Sequence, residues 1–185
     1  YRGIGAYEIT KRLVIMGFGY NFDANPGLQF INPGVYDVNA PSSVYYFVLS
    51  PGSDSSILEG LTLNNGVYIR TSNIIIRRCN ISSVSLDNNY REIANTRIYS
   101  CAIGSISENN TTAFKNNDVR VYNSIIWGAT FYNPSSLASF SNCSFNSMNF
   151  NDVPVYVENS IIREGVTAPQ SVFKNNVFSY AASSV

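Results

Sequence analysis

At 185 residues the chain is long enough for one domain with a substantial buried core. Twelve basic and twelve acidic side chains cancel, which excludes bulk attraction to nucleic acid or to an anionic membrane surface, and no apolar run approaches the ~20 residues of a membrane helix. Histidine is absent, so the commonest general base and the commonest metal ligand are both missing.

Asn, Ser, Tyr, Phe, Ile and Val dominate, and only 13% of residues are charged. Turn formers with β-branched and aromatic residues make the composition of an all-β protein. The three cysteines are an odd number without CxxC spacing, which indicates neither a zinc site nor a complete disulfide framework.

In chain order, the first apolar segment is Leu13-Val14-Ile15-Met16-Gly17-Phe18-Gly19-Tyr20, followed by Asn25-Pro26-Gly27. Residues 21–43 are rich in Asn, Pro and Gly and are expected to form a long loop or cap. From residue 56 a short pattern recurs seven times: Ser56–Leu63, Ile74–Ile81, Thr96–Ile103, Val119–Ile126, Ala138–Phe145, Val155–Ile162 and Ser171–Phe178. Taking Leu61, Cys79, Cys101, Ser124, Cys143, Ser160 and Asn176 as reference positions, successive units are 16 to 23 residues apart. A variable period near 20 suits solenoid coils whose loops differ in length.

Two residues after the reference stand Leu63, Ile81, Ile103, Ile126, Phe145, Ile162 and Phe178. Three residues before it stand Leu58, Ile76, Ile98, Val121, Phe140, Val157 and Phe173. Strand side chains alternate faces, so an odd offset of three between inward residues requires a bend. The residue just before the reference reads Gly60, Arg78, Ser100, Asn123, Asn142, Asn159 and Asn175. Gly and Asn are the residues that tolerate left-handed backbone. Strand, two-residue corner, strand is the predicted unit. The fold class is all-β, a right-handed parallel β-helix of about seven to eight coils.

The segments Asn73–Ile81 and Tyr156–Ile162 resemble coils of the pectate-lyase-type right-handed β-helix superfamily over roughly residues 44–180. The resemblance implies a structural ladder of corner asparagines at Asn123, Asn142, Asn159 and Asn175. The opening stretch is similar to first-coil segments of secreted Bacteroidetes β-helix proteins of unassigned function. The chain is read as a single β-helix domain over 1–185, with a first coil and cap or loop over 1–43 and regular coils over 44–180. It has no initiator methionine or signal peptide and stops at Ala181-Ala182-Ser183-Ser184-Val185 without a closing element. A processed or partial chain is therefore expected.

Three sets of residues are candidates for function. Cys79, Cys101 and Cys143 share one inward position, with Ser124 interposed, and are expected to be buried and reduced. Asp87, Glu92, Glu108 and Asp118 lie in two neighbouring loops with Arg91. Superfamily members that cleave polyuronates use clustered Asp with calcium and a basic residue, or an Asp trio with His. Here the outward positions Ser85, Thr130, Asn149 and Thr167 carry no acid, so the four loop carboxylates are only weak catalytic candidates. Calcium is a cofactor only if the chain is a lyase; no other cofactor or metal is expected.

Arg97 with Tyr99, and Arg120 with Tyr122, should form a two-by-two outward patch on adjacent coils, with Arg77 one coil earlier. Tyr faces suit sugar rings and Arg suits carboxylates. Outward apolar residues also occur, Ile57 and Ile75 on one face and Ile125, Ile161 and Val177 on another, to be covered by loops or by a partner. The expected function is a secreted or cell-surface binding or structural module, for an acidic polysaccharide or a protein of a surface assembly. The alternative is a polysaccharide lyase or glycoside hydrolase with catalytic residues in loops or missing regions. The expected location is extracellular or cell-surface, with the periplasm also open; neither nucleic acid nor a membrane span is expected.

Overall fold

The computed structural model describes residues 6–17, 46–89, 91–109 and 114–179. The expected cap over 21–43, the Phe18–Tyr20 end of the first apolar segment, residues 110–113 and the tail Ala181–Val185 lie outside the described residues. The described chain is a parallel β-solenoid of about seven turns without helix.

Each coil contributes to two sheets. One is eight-stranded: Val14–Met16, Ile57–Glu59, Ile75–Arg77, Ile93–Tyr99, Asn116–Tyr122, Ala138–Ser141, Val155–Glu158 and Val172–Lys174. The other is eleven-stranded, its central strands being Asn80–Leu86, Ala102–Glu108, Ile125–Thr130 and Ser144–Asn149. Every pairing is parallel. The two predicted apolar rows are realised in register. Ile15, Leu58, Ile76, Ile98, Val121, Phe140, Val157 and Phe173 run along the eight-stranded sheet. Leu63, Ile81, Ile103, Ile126, Phe145, Ile162 and Phe178 run along the other. Most of these side chains are fully buried, and each buried Leu, Ile or Phe contributes roughly 1.5–3 kcal/mol. Phe178, in the last described coil, is 41% exposed.

The corner between the sheets is the recurring device. All seven predicted bend residues, Gly60, Arg78, Ser100, Asn123, Asn142, Asn159 and Asn175, have φ between 49 and 64°. That conformation costs a residue with a side chain about 1 kcal/mol, and Asn tolerates it best of the non-glycine residues. Asn142 Nδ2 donates to Asn123 Oδ1 at 3.3 Å. Arg78 has no amide side chain and instead pairs with Glu59 of the preceding coil.

At this corner two consecutive amides point toward the following coil. The bend residue's N–H meets a carbonyl there, as in Arg78 to Tyr99 and Ser100 to Tyr122. The reference residue's N–H finds no carbonyl and takes a side chain. Cys79 N–H donates to Cys101 Sγ at 3.5 Å, Cys101 N–H to Ser124 Oγ at 3.1 Å, Cys143 N–H to Ser160 Oγ at 3.1 Å and Ser160 N–H to Asn176 Oδ1 at 2.8 Å. Each Cys or Ser then donates its own hydrogen to the carbonyl two residues back, from Cys79 to Arg77 O through Ser160 to Glu158 O. The inward Cys and Ser thus form a hydrogen-bonded ladder that satisfies an otherwise orphaned buried donor.

All three cysteines are free and buried. Burial pushes the Cys143 thiol up to about 11. The neighbouring Cys79 thiol, together with burial, raises Cys101 as well. Because all three thiols are enclosed, native protein at pH 8 should resist iodoacetamide, while denatured, unreduced protein should gain three adducts by mass. The left-handed corner gives a second test in urea denaturation. Asn123→Gly should leave stability within about 0.5 kcal/mol, whereas Asn123→Val should cost about 1–2 kcal/mol.

Candidate functional site: the outer face of the eight-stranded sheet

Register places the predicted patch as two axial rows. Arg97 aligns with Arg120, and Tyr99 with Tyr122. Arg77 falls in the tyrosine row, beside Tyr99. The tyrosine rings stack nearly parallel, with centroids 5.4 Å apart and planes 9° from parallel. Their mutual stacking covers the faces turned to each other. Tyr122 turns its other face toward Ser141, its partner in the next strand, which is small.

A single carboxylate organises the arginines. Asp118 lies at a second left-handed corner, φ 62°, in register with Ser55, Asn73 and Asn95, all also at positive φ. Its Oδ2 accepts from Arg97 Nη2 at 2.6 Å and its Oδ1 from Arg120 Nε at 2.5 Å. Arg97 Nη1 also donates to the Asp118 carbonyl at 2.6 Å. Partial burial opposes ionisation of Asp118, but hydrogen bonds from Arg97 and Arg120 overcome it and hold its pKa below 3.8. The same carboxylate raises the pKa of Arg120. Two guanidinium groups against one carboxylate leave the cluster with one surplus positive charge.

The two arginines differ in access. The side chain of Arg97 is 20% exposed and tied to Asp118 at two points, whereas that of Arg120 is 47% exposed. Arg77 is engaged by Glu59 at 2.6 Å.

Beside Arg120 the surface opens into a shallow groove of about 560 Å³, lined by Asp118, Arg120, Tyr122, Ser139, Pro154 and Tyr156 among others. Ser139 occupies the arginine row one coil on and Tyr156 two coils on, so a small residue separates Arg120 and Tyr122 from Tyr156. The Tyr156 hydroxyl donates to Glu158 Oε2 at 3.2 Å. Tyr156 stands four residues before its reference position, as Arg97 and Arg120 do, so the same counting could have found it.

Asp87 and Glu108 lie elsewhere and are enclosed. Asp87 accepts from Arg70 Nε at 2.6 Å, Asn89 Nδ2 at 2.6 Å and Asn109 Nδ2 at 2.7 Å. Glu108 occupies the position aligned with the core residue Leu86. It accepts from Asn88 and Asn116 amides, the Ser136 hydroxyl and the backbone N–H groups of Tyr132 and Asn133, at 2.5–3.2 Å. These carboxylates tie turns of unequal length together, with Asp87 and Asn88 of one coil reaching Asn109 and Glu108 of the next. Glu92 is exposed on the surface and Arg91 is half-buried. Ser85, Ser107, Thr130, Asn149 and Thr167 form one axial row, but Ser85, expected to face outward and aligned with Tyr68 of the preceding coil, is buried. Among the described residues no group of three or more Cys, Asp or Glu is placed to hold a metal ion, and no helix is long and apolar enough to cross a membrane.

Two substitutions separate these roles. Glu108→Ala strands two backbone and three side-chain donors, so thermal or urea unfolding should show a loss of at least about 3 kcal/mol. Asp118→Asn removes a mostly surface carboxylate and should cost about 0.5–1 kcal/mol at pH 7. Because folding depresses the Asp118 pKa, its contribution is present above the unfolded value and is lost as pH falls through the folded one. The gap between wild type and Asp118→Asn should therefore close as pH drops below about 4. No family profile, curated protein or solved structure matches the chain.

Proposed function

We propose that this chain is a carbohydrate-binding β-helix module of a secreted or cell-surface protein, and that it holds an acidic polysaccharide in the groove beside Arg120, Tyr122 and Tyr156. The observation that carries this reading is the combination of a half-exposed guanidinium, preset by Asp118, with tyrosines flanking a serine-floored groove. A sugar ring needs a flat aromatic face, and a uronate carboxylate needs an oriented N–H donor. The groove offers both within two or three coils.

Arg97 and Tyr99 play supporting parts in this proposal. Tyr99 backs Tyr122, and Arg97 fixes the carboxylate that aims Arg120. The resemblance of its coils to the pectate-lyase-type superfamily agrees with a glycan ligand, and that of its opening stretch to secreted Bacteroidetes proteins with an extracellular, cell-surface or periplasmic setting. The lyase or hydrolase alternative gains no support from Asp87 and Glu108, whose oxygens are occupied by structural donors.

Contacts of this exposed kind contribute only about 0.2–1 kcal/mol each. Binding should be weak for short oligosaccharides, should strengthen with polymer length and should weaken with salt. Titration calorimetry with a polyuronate and a neutral glucan is the test. Wild type should prefer the polyuronate, Arg120→Ala should lose about two- to fivefold in affinity, and Tyr156→Ala should weaken binding of the same polymer. Equal affinity for both polymers, or no loss in either variant, would reduce the patch to a stabilising ladder.

A further inference from the structure

The earlier coils of the same face carry a second cluster built like the one at Asp118. Glu59, Arg77, Tyr99 and Tyr122 form one axial row, and Arg78 stands at the corner beside Arg77. Glu59 Oε2 accepts from Arg77 Nε at 2.8 Å and Nη2 at 2.6 Å, and its Oε1 pairs with Arg78 Nη2. The Glu59 side chain is only 4% exposed, whereas those of Arg77 and Arg78 are 47% and 67% exposed. A guanidinium has five N–H donors, so one buried carboxylate leaves donors of both arginines turned to solvent. As at Asp118, two guanidiniums against one carboxylate leave one surplus positive charge.

The fold itself does not require Arg78. Its φ of 53° is left-handed, at the corner where Gly60 stands one coil earlier and Asn123, Asn142, Asn159 and Asn175 stand in later coils. Arg77 alone already matches the charge of Glu59. A largely exposed arginine held in strained backbone, where glycine or asparagine would turn the chain at lower cost, breaks the local rule without a structural gain. Such breaks are found where function needs the side chain.

We propose that Arg77 and Arg78, held over Glu59, are a second anion subsite, and that the ligand is a linear polyanion laid along the solenoid axis with one acidic group on Arg120 and another on this pair. The inference rests on the acidic-polysaccharide reading of the Arg120 groove and extends it. Arg77 lies two strands from Tyr122 in their shared row, which sets the two anchors roughly 10 Å apart along the axis. A single uronate does not reach both; successive rings of one chain do. The strand between the anchors, Ile93–Tyr99, carries no acid, and Asp118 is already shared by Arg97 and Arg120. A chain running from Tyr156 to Arg77 crosses five adjacent strands, a track of roughly 20 Å. Two contacts that are weak alone then reinforce each other, because the second forms within one complex.

Titration calorimetry of the full chain with uronate oligomers, from the dimer upward, is the test. Wild-type affinity should climb slowly with length and then step up at the length that spans both anchors. Arg78→Gly copies the corner of Gly60, leaves Arg77 on Glu59 and should keep the wild-type circular dichroism spectrum. It should bind the shortest oligomers as wild type does, lose the step, and fall about two- to fivefold in affinity for the long ones. Arg78→Gln should do the same, whereas Arg78→Lys should keep the step. Arg120→Ala should lose affinity at every length. A wild type without a step, or a step that survives both Arg78→Gly and Arg78→Gln, would overturn the second subsite and leave the groove reading standing as long as Arg120→Ala binds less. If Arg120→Ala binds every oligomer as wild type does, the groove reading itself falls, and the subsite with it.

Discussion

Everything in this solenoid depends on how one backbone amide is satisfied at the corner between the sheets. The left-handed residue turns the chain so that two successive N–H groups point at the next coil, which offers only one carbonyl. The second N–H meets a thiol, hydroxyl or amide side chain on the next inward step. A buried amide left without a partner would cost about 1–3 kcal/mol at every coil. The small polar side chain removes that cost and locks each coil to its neighbour at a fixed register.

Fixed register turns sequence offsets into axial rows, and the rows explain the surface chemistry. Because Arg97 and Arg120 stand at the same offset, they lie one strand spacing apart, close enough to share Asp118. Tyr99 and Tyr122 likewise stack face to face. The stacking has a functional consequence that residue identities alone do not suggest. Two tyrosines in such a row do not make two sugar platforms, because each covers a face of the other. The open face belongs to Tyr122, where Ser141 and Ser139 interrupt the rows and make room for the groove.

The coils, both apolar rows and all seven left-handed positions were legible in the sequence, since alternation and the Asn/Gly corner act locally and repeat. Cys79, Cys101 and Cys143 are buried and free as expected, but that expectation gave the thiols no part in a hydrogen-bonded ladder. Only the interposed Ser124 and Ser160 hinted that the position needs a hydrogen-bonding group. The second left-handed corner stands six residues before the reference at Ser55, Asn73, Asn95 and Asp118; it was not seen, because only offsets nearer the reference were counted and the same offset carries Leu137, Pro154 and Gln170 in the later coils. For the same reason Asp118 read as a loop acid rather than as the anchor of two arginines. Glu108, expected as a loop carboxylate and weak catalytic candidate, instead enters the core as the acceptor for five donors. The groove at Tyr156 obeys the same offset as the patch, but its depth depends on the absence of bulk at Ser139, and a row count registers side chains rather than gaps.

The central claim is that inward polar side chains carry the corner amides, and native-state hydrogen exchange measured by NMR tests it most directly. The amides of Cys79, Cys101, Cys143 and Ser160 should exchange only by global opening, at rates matching the central strand amides of Ile98 and Val121. In Ser124→Ala the Cys101 amide should exchange orders of magnitude faster while distant strands keep their protection. Rapid exchange at these four corner amides in the wild-type protein, with the neighbouring strands protected, would contradict the account.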